Sequence, residues 1–132
     1  MSAARNKQIV RRVWDELWNG RQAGLVDELF APDYAAYERA FLPGWLAAFP
    51  DWTFEVLDMV AEDDRVVTRF VGRGTHRGPT ASFGLAGVEP TGQRIEMRGY
   101  ITHRLADRRI VDGRSTALLD RLGVLEQLGR WP

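Results

Sequence analysis

The hydrophobic period of this chain changes once, near residue 50, and that change limits its fold more than any other feature. Before it, Val10, Val13, Trp14, Leu17 and Trp18 recur at helical spacing, so residues 4–19 read as an amphipathic helix ended by Asn19-Gly20. A second helix is expected from Gly24 to Phe30, stopped near Pro32. "DYAAYERAF" (33–41) is read as turning a corner. "PGWLAAFP" (43–50) is then a short third helix, with Pro43 in its first turn and Pro50 closing it. After residue 50 the period is two. Residues 52–62 and 65–76 read as strands joined by a tight turn at Asp63-Asp64, and 93–106 with 109–118 as a second hairpin. The Gly- and Pro-rich stretch 77–92 between them is a long loop, and "LDRLGVLEQLG" ends the chain as a helix. Helices first and an antiparallel sheet after them predict a single α+β domain, the sheet curling around the leading helices.

Composition removes several classes of function. The chain has 132 residues with 18 basic and 18 acidic side chains, a balance that argues against nucleic acid as a partner. It has no cysteine and only two histidines, His76 and His103, so thiolate chemistry is excluded and a multi-histidine metal site is not expected. No apolar run approaches membrane length and the first residues lack a signal-peptide core, so no membrane association and a cytoplasmic location are expected.

Six phrases, in order over nearly the whole chain, carry a resemblance: "VRRVWDELWNG", "LFAPDY", "AAFPDWTFEV", "EDDRVVTRFVGRGTHRG", "PTGQRIEMRGYITHR" and "LGVLEQLG". They resemble the SnoaL-like polyketide cyclases of the NTF2-like superfamily, whose fold is a cone-shaped α+β barrel. The resemblance implies a pocket between the concave sheet face and the helices, a homodimer formed through the sheet, and no cofactor. It does not single out a reaction, because cyclases, isomerases, dehydratases, epoxide hydrolases and pure binders share the superfamily. This chain departs from its relatives between "DYAAY" and "PGWLAAFPD", where it is short. It has Tyr37 where relatives often have histidine. It also has Ile101 and Ser115 (or Ala117) where cyclase-like members place carboxylates on the two long C-terminal strands.

The candidate site follows from strand alternation. Ile95, Met97, Gly99, Ile101, His103 and Leu105 share one face, expected to be concave. On that face His103 is either a general acid or base or an aromatic filler. A two-residue turn at Asp107-Arg108 would set His103 opposite Asp112 and Ile101 opposite Arg114. Aspartate would then orient the imidazole, and arginine would hold an enolate or carboxylate oxygen. A longer, bulged loop would turn both charges outward as a solvated pair. Trp14 and Phe70 hold positions that face the pocket in relatives, and Tyr37 supplies either a ligand-facing hydroxyl or bulk. Asp120 is read as the cap of the last helix, His76 as holding the 77–92 loop, and that loop as either a lid or ordinary surface. Two functions are expected. One is an enzyme that cyclises or isomerises an apolar aromatic or polycyclic substrate by proton transfer, with His103 and Asp112 catalytic and Tyr37, Trp14, Phe70 and Arg114 binding. The other is a non-catalytic ligand-binding protein. Epoxide hydrolysis is a weaker third reading, since it needs paired aspartates.

Overall fold

A computed structural model of the chain describes residues 2–130. The first helix, α1, spans Ala3–Arg12, capped by the Ser2 side chain, and continues through Val13–Trp18 as a π-helical turn. That wider turn, closed by the Asn19 amide on the Trp14 carbonyl, buries Val13, Trp14, Leu17 and Trp18 together. Asn19 then exchanges two hydrogen bonds of 2.8 Å with the main chain of Phe54, fastening the end of the helix to the sheet. A short helix α2 (Val26–Leu29) follows.

The next helix corrects the sequence reading. No corner forms at residues 33–41, because α3 runs unbroken from Pro32 to Ala48 with Pro43 inside it. Pro43 removes the hydrogen bond to the Arg39 carbonyl, yet both Pro43 and Gly44 face solvent, where water can serve the freed group. Opposite them, Tyr34, Ala35, Glu38, Leu42, Trp45 and Ala48 are buried. A ladder of rings also crosses the proline at i,i+4 spacing, with centroid separations of 5.9 Å for Tyr37–Phe41, 5.9 Å for Phe41–Trp45 and 4.5 Å for Trp45–Phe49. Packing overrides the local break.

The sheet comprises β1 (Thr53–Glu62), β2 (Arg65–Thr75), β3 (Arg94–Ala106), β4 (Arg109–Asp112) and β5 (Leu118–Leu119). It is antiparallel in the order β1-β2-β3-β4, with β5 also pairing with β3. The expected strand 109–118 is therefore divided: a 3-10 turn at Arg114–Thr116 separates β4 from β5. A last helix, α4 (Arg121–Gln127), starts on Asp120, whose carboxylate accepts from the Gly123 amide as a cap should. The loop 77–92 is tied at its ends, since the Gly92 amide bonds the His76 carbonyl and the Thr91 amide bonds His76 Nδ1. That is the holding role expected of His76.

One contact sets the curl of the sheet. Trp52, fully buried, lies across β2 where that strand has Gly72 and Gly74. A Cβ on Gly72 would stand 2.2 Å from the indole, and one on Gly74 2.8 Å. The guanidinium of Arg21 bonds the carbonyls of Trp18, Pro50 and Trp52, locking the segment that carries the ring. We expect Gly72→Ala to cost at least about 2 kcal/mol in denaturant unfolding by overpacking. A second substitution, Trp52→Phe, should recover part of that loss. An additive double mutant would contradict this account.

Candidate active site

The concave face of β3 is as expected: Ile95, Met97, Gly99, His103 and Leu105 are buried and Ile101 half-buried. Between this face and the helices lies a cavity of about 480 Å3, a size that suits a small organic molecule. Its floor is aromatic. Trp14 packs against Phe54 and Phe70 at 4.8 and 5.1 Å between ring centroids, and its ring stands 5.9 Å from that of His103. Met97, Ile101 and Leu119 add apolar wall, and Ser82 reaches the cavity from the 77–92 loop. Trp14, Phe70, Tyr37, Arg114 and His103 all line this space, whereas Asp112 does not.

The reason lies in β4. The turn at Asp107-Arg108 takes the two-residue alternative, with both residues at positive φ (52° and 65°), and sets Ala106 opposite Arg109. A bulge at Val111 then shifts the ladder, so Asp112 opposes Arg104 and not His103. The residue that meets His103 is Gly113: a Cβ there would lie 2.6 Å from His103 Cδ2 and 2.8 Å from the Tyr34 hydroxyl. Asp112 instead organises the turn that follows. It accepts from the Gly113 amide at 2.7 Å and from the Ser115 hydroxyl at 2.8 and 2.7 Å, and these bonds, Ser115 foremost, hold its pKa below the usual carboxylate range. Thr116 bonds the Thr102 carbonyl at 2.7 Å and closes the turn onto β3. The turn thereby presents Arg114, whose guanidinium lies 4.2 Å from the centre of the Tyr37 ring.

Of the strand positions where relatives carry carboxylates, Ile101 and Ala117 line the cavity and Ser115 does not. A carboxyl group is nonetheless present, supplied by a helix. Glu38 of α3 lines the cavity, is only 8% exposed, and its Oε2 is buried with no hydrogen-bond partner. Burial pushes its pKa up to about 7, against the opposing charge of Arg114. Tyr34, one turn earlier, is also buried in the wall, and burial with the nearby Glu38 raises its pKa. His103 is 2% exposed with Nδ1 unpartnered, and burial lowers its pKa to about 4, so the imidazole is neutral at pH 7.

Sequence reasoning missed Glu38 and Tyr34 because it broke α3 at its corner. Read as one helix, residues 34, 38, 42 and 45 form a single stripe in which glutamate is the one charged member.

The family profile of the SnoaL-like polyketide cyclases matches residues 8–128. The chain belongs to this family. Its fold is also that of several solved structures. AclR, a candidate hydroxylase from Streptomyces galilaeus, is 27% identical with a TM-score of 0.82, over 99% of this chain and 89% of that one. IdmH, a candidate polyketide cyclase from Streptomyces antibioticus, is 28% identical with a TM-score of 0.77, over 94% and 98%. TsrD from Streptomyces laurentii shares the fold at 21% identity, with a TM-score of 0.86 over 98% of both chains. No curated protein sequence matches this SnoaL-like chain. Among its described residues no helix is long and apolar enough to cross a membrane, and no cluster of three or more His, Cys, Asp or Glu could hold a metal ion.

Glu38 carries a stability signature. Its folded pKa lies above the ordinary 4.5, so folding favours the protonated form, and the stability this gives is complete below pH 4.5 and lost as pH rises through about 7. Glu38→Gln should therefore unfold at higher temperature than the wild type at pH 8, by an increment approaching about 3 kcal/mol. At pH 4.5 the two should be nearly equal. A gain of the same size at both values would show that Glu38 is not a buried titrating group.

Proposed function

We propose that this SnoaL-like protein is a small-molecule enzyme that cyclises or isomerises a polyketide-like aromatic or polycyclic substrate by proton transfer, within secondary metabolism. The observation that carries the reading is Glu38: a buried carboxyl group whose Oε2 has no hydrogen-bond partner, in an aromatic cavity, with a pKa of about 7. A group so poised takes and returns a proton near neutral pH with least penalty in either direction. Ring closure or double-bond migration next to a carbonyl needs a base for the acidic C–H and a donor for the developing enolate oxygen. Glu38 is the base. His103, expected from sequence to be the base, has too low a pKa to compete at pH 7 and acts as a neutral hydrogen-bond donor, with the Tyr34 and Tyr37 hydroxyls as further donors. Asp112 contributes by holding the Arg114 turn. Trp14, Phe54 and Phe70 supply the apolar surface against which rings of the substrate pack.

The relatives support the reaction class without specifying the substrate: IdmH is a candidate polyketide cyclase and AclR a candidate hydroxylase. A homodimer through the sheet is part of the proposal. Val60, Val67 and Tyr100 are exposed on the outer face, where strand pairing brings Val60 beside Val67. Sedimentation of the purified protein tests it, since a monomer at micromolar concentration would contradict it.

Glu38→Gln should lower kcat by roughly 100- to 10,000-fold while leaving the circular dichroism unchanged. In the wild type kcat/KM should rise with pH through about 7, because the ionised carboxylate is the active form. His103→Gln should lower kcat less, and it should leave the position of that limb in place. A Glu38→Gln variant with full turnover would eliminate proton transfer by this residue. An aromatic ligand bound tightly and never altered would favour the binding-protein reading.

A further inference from the structure

The cavity is apolar except at a few points, and at its rim those points are cationic. Arg114 and Arg121 line it from exposed positions, one on the turn after β4 and one at the start of α4. Among the described residues Arg114 has no carboxylate within salt-bridge distance, and its guanidinium makes no hydrogen bond. Its position is nevertheless set. The guanidinium carbon stands 4.2 Å from the centre of the Tyr37 ring, and the turn beneath it is closed by the Ser115 hydroxyl on Asp112 and the Thr116 hydroxyl on the Thr102 carbonyl. A guanidinium oriented in this way, with its forked N–H groups uncommitted, matches a planar carboxylate.

We propose that Arg114 recognises a carboxylate, so that the cavity selects flat aromatic carboxylates, their rings among Trp14, Phe54 and Phe70 and their charge at the rim. This deepens the reading of the cavity as a substrate site and rests on it. It also has an internal consequence. Arg114 is the charge that opposes the burial of Glu38, so an anion seated on Arg114 offsets that opposition and drives Glu38 towards its protonated form. The other groups around the cavity are Tyr34 and Tyr37 on α3, neutral His103 on β3 and the guanidinium of Arg121 on α4. Binding of a carboxylate therefore takes up a larger fraction of a proton than binding of a neutral ring, which acts on Glu38 only by excluding water, and it moves the pH at which the bound enzyme holds its active carboxylate upwards.

The test uses anthracene-2-carboxylate and its methyl ester, titrated into the full-length protein and followed by tryptophan fluorescence. The acid should bind roughly 10- to 100-fold more tightly than the ester, as a charge-assisted hydrogen bond implies. Arg114→Gln should abolish that preference while leaving ester affinity within about twofold. Calorimetry at pH 8 in buffers of different ionisation enthalpy should show uptake of a fraction of a proton with the acid, a smaller fraction with the ester, and none with either in Glu38→Gln. Equal binding of acid and ester by the wild type would overturn the inference and leave the substrate cavity standing. Acid preference that survives Arg114→Gln would likewise overturn it, moving recognition to Arg121. Failure of both compounds to bind would overturn the cavity reading itself.

Discussion

Everything in this fold is arranged around Trp52 lying on two glycines of β2. The ring occupies space that side chains at 72 and 74 would fill, so β2 lies directly against it there. The same indole meets Trp45 and Phe49 at the end of α3 and Phe54 at the start of β1. One side chain thus fixes the distance between the long helix and the concave face. The cavity is the space left where that distance is held open further along, past the reach of Trp52. Its walls are correspondingly shared: the π turn after α1 contributes Trp14, α3 contributes Tyr34, Tyr37 and Glu38, and β3 contributes His103.

Within the cavity, burial acts on an acid and a base with the same result. A carboxyl group is pushed up and an imidazole down, so each is stabilised in its uncharged form. Between about pH 4 and 7 both groups are neutral, and the charges that act on them come from the end of β4 and the turn after it, Arg114 on Glu38 and Asp112 on His103. The two groups also oppose each other in the stability of the fold, because Glu38 favours acid while His103, depressed from 6.5, loses its contribution as pH falls towards 4. Of the two, only Glu38 changes charge near neutrality, and this is why the proposed acid–base chemistry is assigned to it.

The sequence showed the architecture clearly where periodicity was long. The switch from helix to sheet, the turn at Asp63-Asp64, the concave stripe of β3 and the Asp120 cap were all legible from spacing and turn chemistry. The two misreadings were local signals overruled by packing. Pro43-Gly44 has the composition of a helix boundary, but the aromatic ladder on the opposite side carries α3 through it, and Glu38 was lost with that helix. At the second hairpin the two-residue turn was one of two alternatives the sequence left open. The bulge at Val111 was not legible, since nothing in "RIVDG" marks it; it goes with the close passage of Gly113 over His103, a contact between strands. That single residue of slip moved Asp112 away from the imidazole and made it the organiser of a turn.

That turn is held mainly by bonds within itself, from Asp112 to Ser115 and to the Gly113 amide, with one bond from Thr116 reaching β3. Its side chains at 114, 115 and 116 are exposed. The charge proposed to select the ligand therefore sits on a segment apart from Trp52, Gly72, Gly74 and the aromatic floor. Gly113 is the exception within it, because His103 and Tyr34 leave no room there for a side chain. The rim can thus change its chemistry at 114, 115 and 116 while the frame stays as it is.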